Sequence, residues 1–275
     1  MVSINTNASA LVALQNLNQT SRDLENTQNR VNTGLRVAGA KDNGAVFAIA
    51  QNLRADISGL TAVTQSLDRG IAAVTTALAA GESISDLLID LKAKAAAASD
   101  LGLDTASRDA LRNEFLSLRD QITVIVQNAE FNGTNMIKNG GTGVNALAND
   151  SASQTITVSA EDLSLTGTLI AISATETLGT TATSAAAVLA SIETTITSVN
   201  AALGRLGTGI KALERHKVFV SKLSDTLEVG VGNLVDADLA KESARLQSLQ
   251  VKQRLGIQAL SIANQSPQSI LSLFQ

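Results

Sequence analysis

The sequence predicts a mainly α protein: an elongated antiparallel helical bundle, a coiled-coil rod folded back on itself, with a small β-hairpin excursion. Apolar residues recur at alternating intervals of three and four, the spacing of amphipathic helices that pack side by side. One such segment, from about 45 to 98, would form a helix on the order of 80 Å long, too long for a compact globule. Aromatic residues are only 2% of the 275 residues, and small aliphatic side chains suit close helix packing.

Three helices are expected in the N-terminal half, joined by a polar connector and a turn. The first runs from about 5 to 33, with Ser21 and Gln28 weakening its apolar seam. The second runs from about 45 to 98 in one seven-residue register. The third follows from about 105 and ends near the Asn132-Gly133 pair, whose residue types favour a turn.

Between about Lys138 and Ser184 the helical spacing stops. Thr155–Val158 and Thr168–Ile172 alternate in polarity, so each predicts a strand. Polar residues and Gly167 separate them, which favours an antiparallel hairpin. The Thr- and Ser-rich stretch at 173–184 is typical of a polar surface segment.

Two helices are expected in the C-terminal part. The first keeps an unbroken apolar register from Leu189 to Leu227, and Gly230 and Gly232 follow it. The second runs from about 236 to 264, and its apolar positions occupy more than one stripe. A single neighbouring helix could not cover such a surface. We therefore expect the two terminal helices to gain most of their order from neighbouring subunits.

Composition excludes several classes of function. A net charge of −4 and a pI near 5.1 argue against a nucleic-acid partner. No run approaches the roughly 18 apolar residues of a membrane span, so no membrane partner is expected. With no Cys and one His, there is no zinc or disulfide chemistry and no His-based metal site. We therefore expect no cofactor and no enzyme activity, and the absence of Lys and Arg from the first 21 residues argues against a cleavable secretory signal.

A few residues resemble functional motifs, but simpler interpretations suffice. His216 lies beside Arg215 and Lys217, as expected on a solvated helix face. The glycine-rich stretch at 204–209 lies inside the most regular helical register and follows no strand, so a phosphate site is not expected there. Asp236 and Asp238 are explained by helix N-terminal placement.

Both ends of the chain carry motifs in a recognisable order. The N-terminal motifs are Ser3-Ile4-Asn5-Thr6-Asn7, Arg30-Val31-Asn32-Thr33-Gly34-Leu35-Arg36, Ala40-Lys41-Asp42-Asn43, Ile49-Ala50 and Phe131-Asn132-Gly133. The C-terminal motifs are Leu203-Gly204 to Leu213-Glu214, Asp236-Ala237-Asp238-Leu239-Ala240-Lys241-Glu242, Ala263-Asn264-Gln265-Ser266-Pro267-Gln268 and Leu271-Ser272-Leu273. Together, over about 1–137 and 186–275, they resemble the bacterial flagellin family.

The resemblance implies a structural subunit that polymerises with itself into the extracellular flagellar filament used for swimming. It implies export through the flagellum's own apparatus with an export chaperone, and contacts with filament cap and hook-junction proteins. The segments it implies are an N-terminal inner-layer helix at 1–36, outer rod helices at 37–137, a reduced central hairpin and loop at 138–185, a rod helix at 186–232 and a C-terminal inner-layer helix at 233–275.

Seven leucines of the terminal helices are the expected subunit-packing residues, because subunits of an open filament expose complementary patches that no monomer covers. They are Leu14, Leu17, Leu24, Leu246, Leu249, Leu255 and Leu260. A hook–filament junction protein of the same axial family and a cytoplasmic coiled-coil scaffold stay open as alternatives.

Overall fold

The computed structural model describes residues 6–271, with side chains described as far as Gln265; the first and last motifs quoted above lie partly outside that range. Within it the fold is mainly α. The helices are α1 Ala8–Thr33, α2 Gly44–Ala98, α3 Thr105–Asn128, α4 Ala182–Val235 and α5 Leu239–Leu271. The strands β1 Val144–Leu147 and β2 Thr155–Val158 form an antiparallel pair. The predicted mainly α fold class with a small antiparallel β-hairpin is confirmed, although one of the two strands of that hairpin differs from the expectation.

The chain divides into two compact units: unit 1 is Met1–Ala55 with Thr226–Gln275, and unit 2 is Asp56–Asp225. In unit 2, buried residues of α2 recur every three or four positions from Leu60 to Ala98, and those of α4 do so from Ala185 to Leu206. The two helices run antiparallel, because Asp68 pairs with Lys217 and Lys92 with Glu193. The heptad pattern of the sequence therefore corresponds to a real seam.

The turn between α2 and α3 is closed by a buried arginine. The Arg108 guanidinium donates to the carbonyls of Ala98, Asp100 and Leu103, so one charged side chain satisfies carbonyls around the end of α2. Asp104 begins α3, and its Oδ1 accepts the Ser107 N–H at 3.2 Å. That hydrogen bonding holds the pKa of the Asp104 carboxyl below its ordinary value.

The hairpin uses one predicted strand and one unpredicted strand. Thr155–Val158 is β2 as expected, but its partner is Val144–Leu147. The expected strand at 168–172 is wrong: Ile170 and Ile172 are fully buried, but the segment forms an isolated bridge between Ile170 and Leu165 and not a strand of the hairpin. The Ala171 N–H instead donates to Thr195 Oγ1 of α4 at 3.1 Å, so this segment packs on a helix.

An ion pair holds the central segment on α4. The Arg205 guanidinium donates to both carboxylate oxygens of Glu161, at 2.6 and 2.7 Å, and the Glu161 side chain is nearly buried. This charged hydrogen bond raises the pKa of Arg205 above its ordinary value. Such a two-pronged contact fixes the orientation of both groups.

Several helix boundaries differ from the expectation: α4 begins at Ala182 rather than near 186, and α5 ends at Leu271 rather than near 264. α3 ends at Asn128, and a turn at 131–134 follows in which Phe131 and Thr134 exchange backbone hydrogen bonds. α4 continues through Gly230 and Gly232 and ends at Val235. Neither glycine has positive φ, so both keep helical geometry there. Glycine weakens a helix by about 1 kcal/mol but does not by itself end one.

By length and composition alone, α2 and α4 could each cross a membrane, with a window of mean hydropathy 1.3. Helices that line a protein core pass the same test. Leu67 and Leu88 of α2 face the seam and are fully buried, whereas Ile89 of the same helix is 55% exposed. Core packing therefore accounts for part of this hydropathy: 33% of the α2 window and 28% of the α4 window is buried.

Candidate assembly interface

The start of α1 is tied to α5 by one side chain. Asn7 precedes α1, and its Oδ1 accepts the N–H of Ala10 at 3.1 Å, which satisfies one of the free donors of the first turn. The Nδ2 of Asn7 donates to the carbonyl of Ala263 at 2.7 Å. The residue that begins the first helix therefore also sets its position along the last one.

α1 and α5 pack antiparallel along a narrow seam. Leu24 and Leu249 are buried in it. Nearer the termini, α5 presents Gly256 to α1, where an added Cβ would lie 3.2 Å from Leu17 Cδ1. The small residue lets the helices approach closely. Ser21, a predicted weak point, lies 3.5 Å from the Gln253 amide, so the polar seam positions meet one another.

At the other end, the two helices are joined by a short backbone pairing. Gly34 ends α1 with φ of +71°, a conformation that favours glycine, and its N–H donates to the Arg30 carbonyl. The chain then runs antiparallel to the connection between α4 and α5. Arg36 N–H donates to the Val235 carbonyl at 2.7 Å, and Ala237 N–H donates to the Gly34 carbonyl at 2.9 Å.

An ion pair in which one carboxylate oxygen has no partner lies beside this backbone pairing. Arg30 Nη1 and Glu242 Oε1 are 3.1 Å apart. The Glu242 side chain is 11% exposed and the Arg30 side chain 35% exposed. Glu242 Oε2 is buried and has no hydrogen-bond partner. Glu242 also lies in the first turn of α5, where a negative charge favours the helix dipole.

A groove of about 720 Å³ follows the terminal half of the pair. Apolar and small side chains line most of it. They are Ala8, Ser9, Val12, Ala13, Asn16, Leu255, Gly256, Ala259 and Ala263. Large apolar side chains stand exposed on both helices around it. They are Leu11, Val12, Leu14, Val251, Leu255, Ile257 and Ile262. The pair therefore offers both a recess and protruding side chains of the size that could enter one.

The seven predicted packing leucines fall into three groups. Leu24 and Leu249 are buried against the partner helix of the same chain; Leu17, Leu246 and Leu260 are half-buried. Leu14 and Leu255 are exposed, and Leu255 is 58% exposed. Only the exposed members are free to contact a second subunit without rearrangement.

The other singled-out residues serve the fold. The 204–209 stretch lies within α4, and Asp238 Oδ1 accepts the Lys241 N–H at the start of α5, as expected. The helix N-terminal placement of Asp236 is wrong, because Asp236 directly follows the end of α4 and forms a backbone bridge with Leu35. His216 is half-buried rather than fully solvated, because its Nε2 lies 2.7 Å from the Ala148 carbonyl. Across the described residues, no group of three or more His, Asp or Glu side chains could hold a metal ion.

Sequence reasoning missed the groove because its lining is small. The large apolar residues of α5 mark its apolar positions in the sequence, whereas Gly256, Ala259 and Ala263 do not stand out among them. Their spacing of three and four places them on one helix face, which is the signal that could have revealed them. Small residues on one stripe allow close approach of another helix or side chain.

Two family models match this chain. The bacterial flagellin N-terminal helical region matches residues 4–142, and the bacterial flagellin C-terminal helical region matches residues 189–274.

Among curated relatives, flagellin FljK of Caulobacter vibrioides is 52% identical over 273 residues, covering 99% of this chain and 98% of the relative. A flagellin of Brucella melitensis is 40% identical over the full length of both chains. A crystal structure of Bacillus cereus flagellin is 24% identical, with a TM-score of 0.49, and covers 56% of this chain and 87% of the other.

Proposed function

Because this chain belongs to the bacterial flagellin family, we propose that its terminal helical segments, 1–36 and 233–275, form the inner layer of the polymer. Flagellins are structural subunits: they polymerise into the extracellular flagellar filament that drives swimming. The proposal assigns the contacts of that polymer to particular surfaces of unit 1.

The exposed apolar surface of the α1–α5 pair carries the proposal. Exposed leucine, isoleucine and valine side chains stand on both helices beside an apolar groove. Burying one such side chain yields about 1.5–3 kcal/mol, so leaving several in water is costly. A second copy presents both the recess and the protruding side chains, and such a contact between different patches extends into an open polymer.

Leu14 and Leu255 are the proposed contact residues between subunits, and Leu24 and Leu249 the residues that hold α1 on α5. Leu17, Leu246 and Leu260 lie between these roles, since each is half-buried. A polymer contact at Leu255 therefore requires no opening of the pair.

The experiment compares three substitutions on α5 in seeded polymerisation of the full chain. Leu255→Asp places a charge on the exposed face, where a second subunit would bury it. Burial of an unpaired charge costs several kcal/mol, and each 1.4 kcal/mol is tenfold in affinity, so the critical concentration should rise about a hundredfold or more. Gln250→Asp, at an exposed polar position about 140° around the helix from Leu255, is the matched control.

Leu249→Asp should also abolish filaments while unit 2 stays helical, but by separating α5 from α1 in the monomer. Hydrogen exchange of the 239–265 amides distinguishes the two routes: Leu249→Asp should accelerate it and Leu255→Asp should not. Normal filaments from Leu255→Asp, seen by electron microscopy, would refute the inner-layer assignment.

The remaining segments follow from the same family membership. We assign 37–137 and 186–232 to the surrounding layer and 138–185 to a reduced outer segment. Export by the flagellar apparatus with a chaperone, and contacts with cap and hook-junction proteins, complete the proposal. A strain that lacks the flagellar export apparatus should retain the protein inside the cell; its release from that strain would refute the export route.

A further inference from the structure

One exposed stripe of α2 combines two acids with a large apolar residue. Glu82, Asp86 and Ile89 follow one another at intervals of four and three, which places them on one helix face. We name these three residues the acidic stripe. All are exposed, and Ile89 is 55% exposed. Like charges four residues apart destabilise a helix, so the stripe gains from an external cation.

The acidic stripe has no cation of its own in the part of the chain that the structure describes. Lys92 is held 3.0 Å from Glu193, and Lys94 is held 2.5 Å from Glu114. Asp90, one turn beyond Asp86, adds another exposed acid at the edge of the stripe. The local excess of negative charge is therefore uncompensated within unit 2.

α4 carries a stripe of opposite charge with the same spacing. Lys211, Arg215 and Val218 again follow at intervals of four and three, and all are exposed, Val218 by 55%. We name them the basic stripe. Among the described residues, neither cation has an ion-pair partner. Glu214 is an exposed acid three residues after Lys211, at the edge of this face, but among the described residues it forms no ion pair with Lys211 or Arg215.

The two stripes cannot meet within one chain. In the antiparallel seam, Gly70 lies opposite Leu213 and Ser85 lies opposite Asn200. The two cations of the basic stripe are therefore level with about residues 69–73 of α2, roughly thirteen residues from the middle of Glu82 and Asp86. At 1.5 Å per residue this separation is about 20 Å along the helix.

We propose that the acidic stripe docks on the basic stripe of a second copy of this chain, displaced by about 20 Å along the helices. This inference rests on the proposed function, since it needs a polymer of identical subunits. Because α2 and α4 run antiparallel, Glu82 pairs with Arg215 and Asp86 with Lys211; the two residues of each stripe are about 6 Å apart along their helix, so both pairs can form together. In this antiparallel arrangement Ile89 and Val218 lie at opposite ends of the charged contact and add an apolar side chain at each end.

Such a contact joins two different surfaces of the chain. After each addition, the assembly therefore still has a free acidic stripe at one end and a free basic stripe at the other. It therefore extends without closing, as a filament requires. Because the charges lie at a solvated surface, salt should weaken the contact. The stripe contact lies in unit 2, whereas the inner-layer contact lies in unit 1, so the two can be tested separately.

The test uses two charge-reversed full-length chains, checked for unchanged helicity by circular dichroism. One carries Glu82→Lys with Asp86→Lys; the other carries Lys211→Glu with Arg215→Glu. Glu130→Lys, at an exposed acid outside both stripes, is the control. Seeded polymerisation is followed by light scattering at low salt, for each chain alone, for their equimolar mixture, and for one chain with all four substitutions.

Each reversed chain alone should need a critical concentration at least about tenfold higher than the parent, since both of its stripes now carry one sign. The mixture and the fourfold chain restore opposite charges and should polymerise near the parent's critical concentration. If both reversed chains polymerise as the parent does, or if the mixture and fourfold chain are not rescued, the stripe pairing is wrong. Either result leaves the inner-layer proposal standing, because that proposal fails only through Leu255→Asp.

Discussion

The ion pair between Arg30 and Glu242 leads to an asymmetric prediction. Arg30→Met and Glu242→Met remove the same contact but leave different remnants. Arg30→Met leaves a carboxylate whose side chain is only 11% exposed and whose Oε2 already has no partner. Glu242→Met leaves a guanidinium that is one-third exposed and can turn toward water. Arg30→Met should therefore lower the free energy that holds α1 on α5 by more than Glu242→Met does.

The magnitudes follow from burial. Removing one partner of a buried pair costs about 3–5 kcal/mol when the other charge is left uncompensated. Because Arg30 is partly solvated and screened, we discount this to about 2–3 kcal/mol for Arg30→Met. Glu242→Met removes the carboxylate oxygen that has no partner, but it also removes a favourable negative charge at the start of α5. The free energy that holds α1 on α5 should therefore fall by less than about 1 kcal/mol.

Hydrogen exchange on the full-length subunit measures both effects. The slowest amides at 20–33 and 242–253 report the free energy that opens α1 from α5, and amides at 60–98 of unit 2 serve as the internal control. If this opening free energy falls equally in the two variants, or falls further in Glu242→Met, then the buried carboxylate does not dominate the loss of stability and the reasoning is refuted.

Two further predictions concern unit 2. Gly204→Ala should raise the thermal midpoint, since nothing lies within 4 Å of the added Cβ and alanine favours helix by about 1 kcal/mol over glycine; Gly209→Ala should not, because its Cβ would lie 2.7 Å from Val158 Cγ1. The folded pKa of Asp104 lies below 3.8, so its stabilisation of α3 is present above pH 3.8 and is lost as pH falls through the folded value. Exchange at 105–112 should therefore rise in acid, and Asp104→Asn should reduce that pH dependence; an unchanged acid profile would exclude this carboxyl as the cause.

Much of the fold could be predicted because the seam repeats. Leu60, Leu67 and Val74 of α2 follow one another at intervals of seven and are all buried, a regular spacing that few other structures share. Between the large residues the seam also contains small ones: Ala77 of α2 is buried, and an added Cβ at Gly81 would lie 2.5 Å from Leu203. A hydrophobicity pattern does not distinguish an alanine of the seam from one facing water.

The hairpin shows a different limit. Two alternating segments, 155–158 and 168–172, both expose one face and bury the other, but only the first pairs with a strand. Alternation of polar and apolar residues indicates that a segment is extended and buried on one face. It does not indicate whether a strand or a helix covers that face. The backbone of 168–172 is satisfied in part by Thr195 of α4, a contact between residues that the local pattern cannot connect.

The candidate site is the hardest part to predict, for a physical reason visible in α5. Leu249 and Leu255 are equally apolar and six residues apart, yet one is 7% exposed and the other 58% exposed. Which of them faces α1 depends on how the two helices are placed against each other. Contacts between distant residues set that placement, through Asn7 on Ala263 at one end and the Arg30 ion pair at the other. The apolar pattern therefore shows that α5 has more than one surface to cover, while long-range polar contacts decide which surface remains for a second subunit.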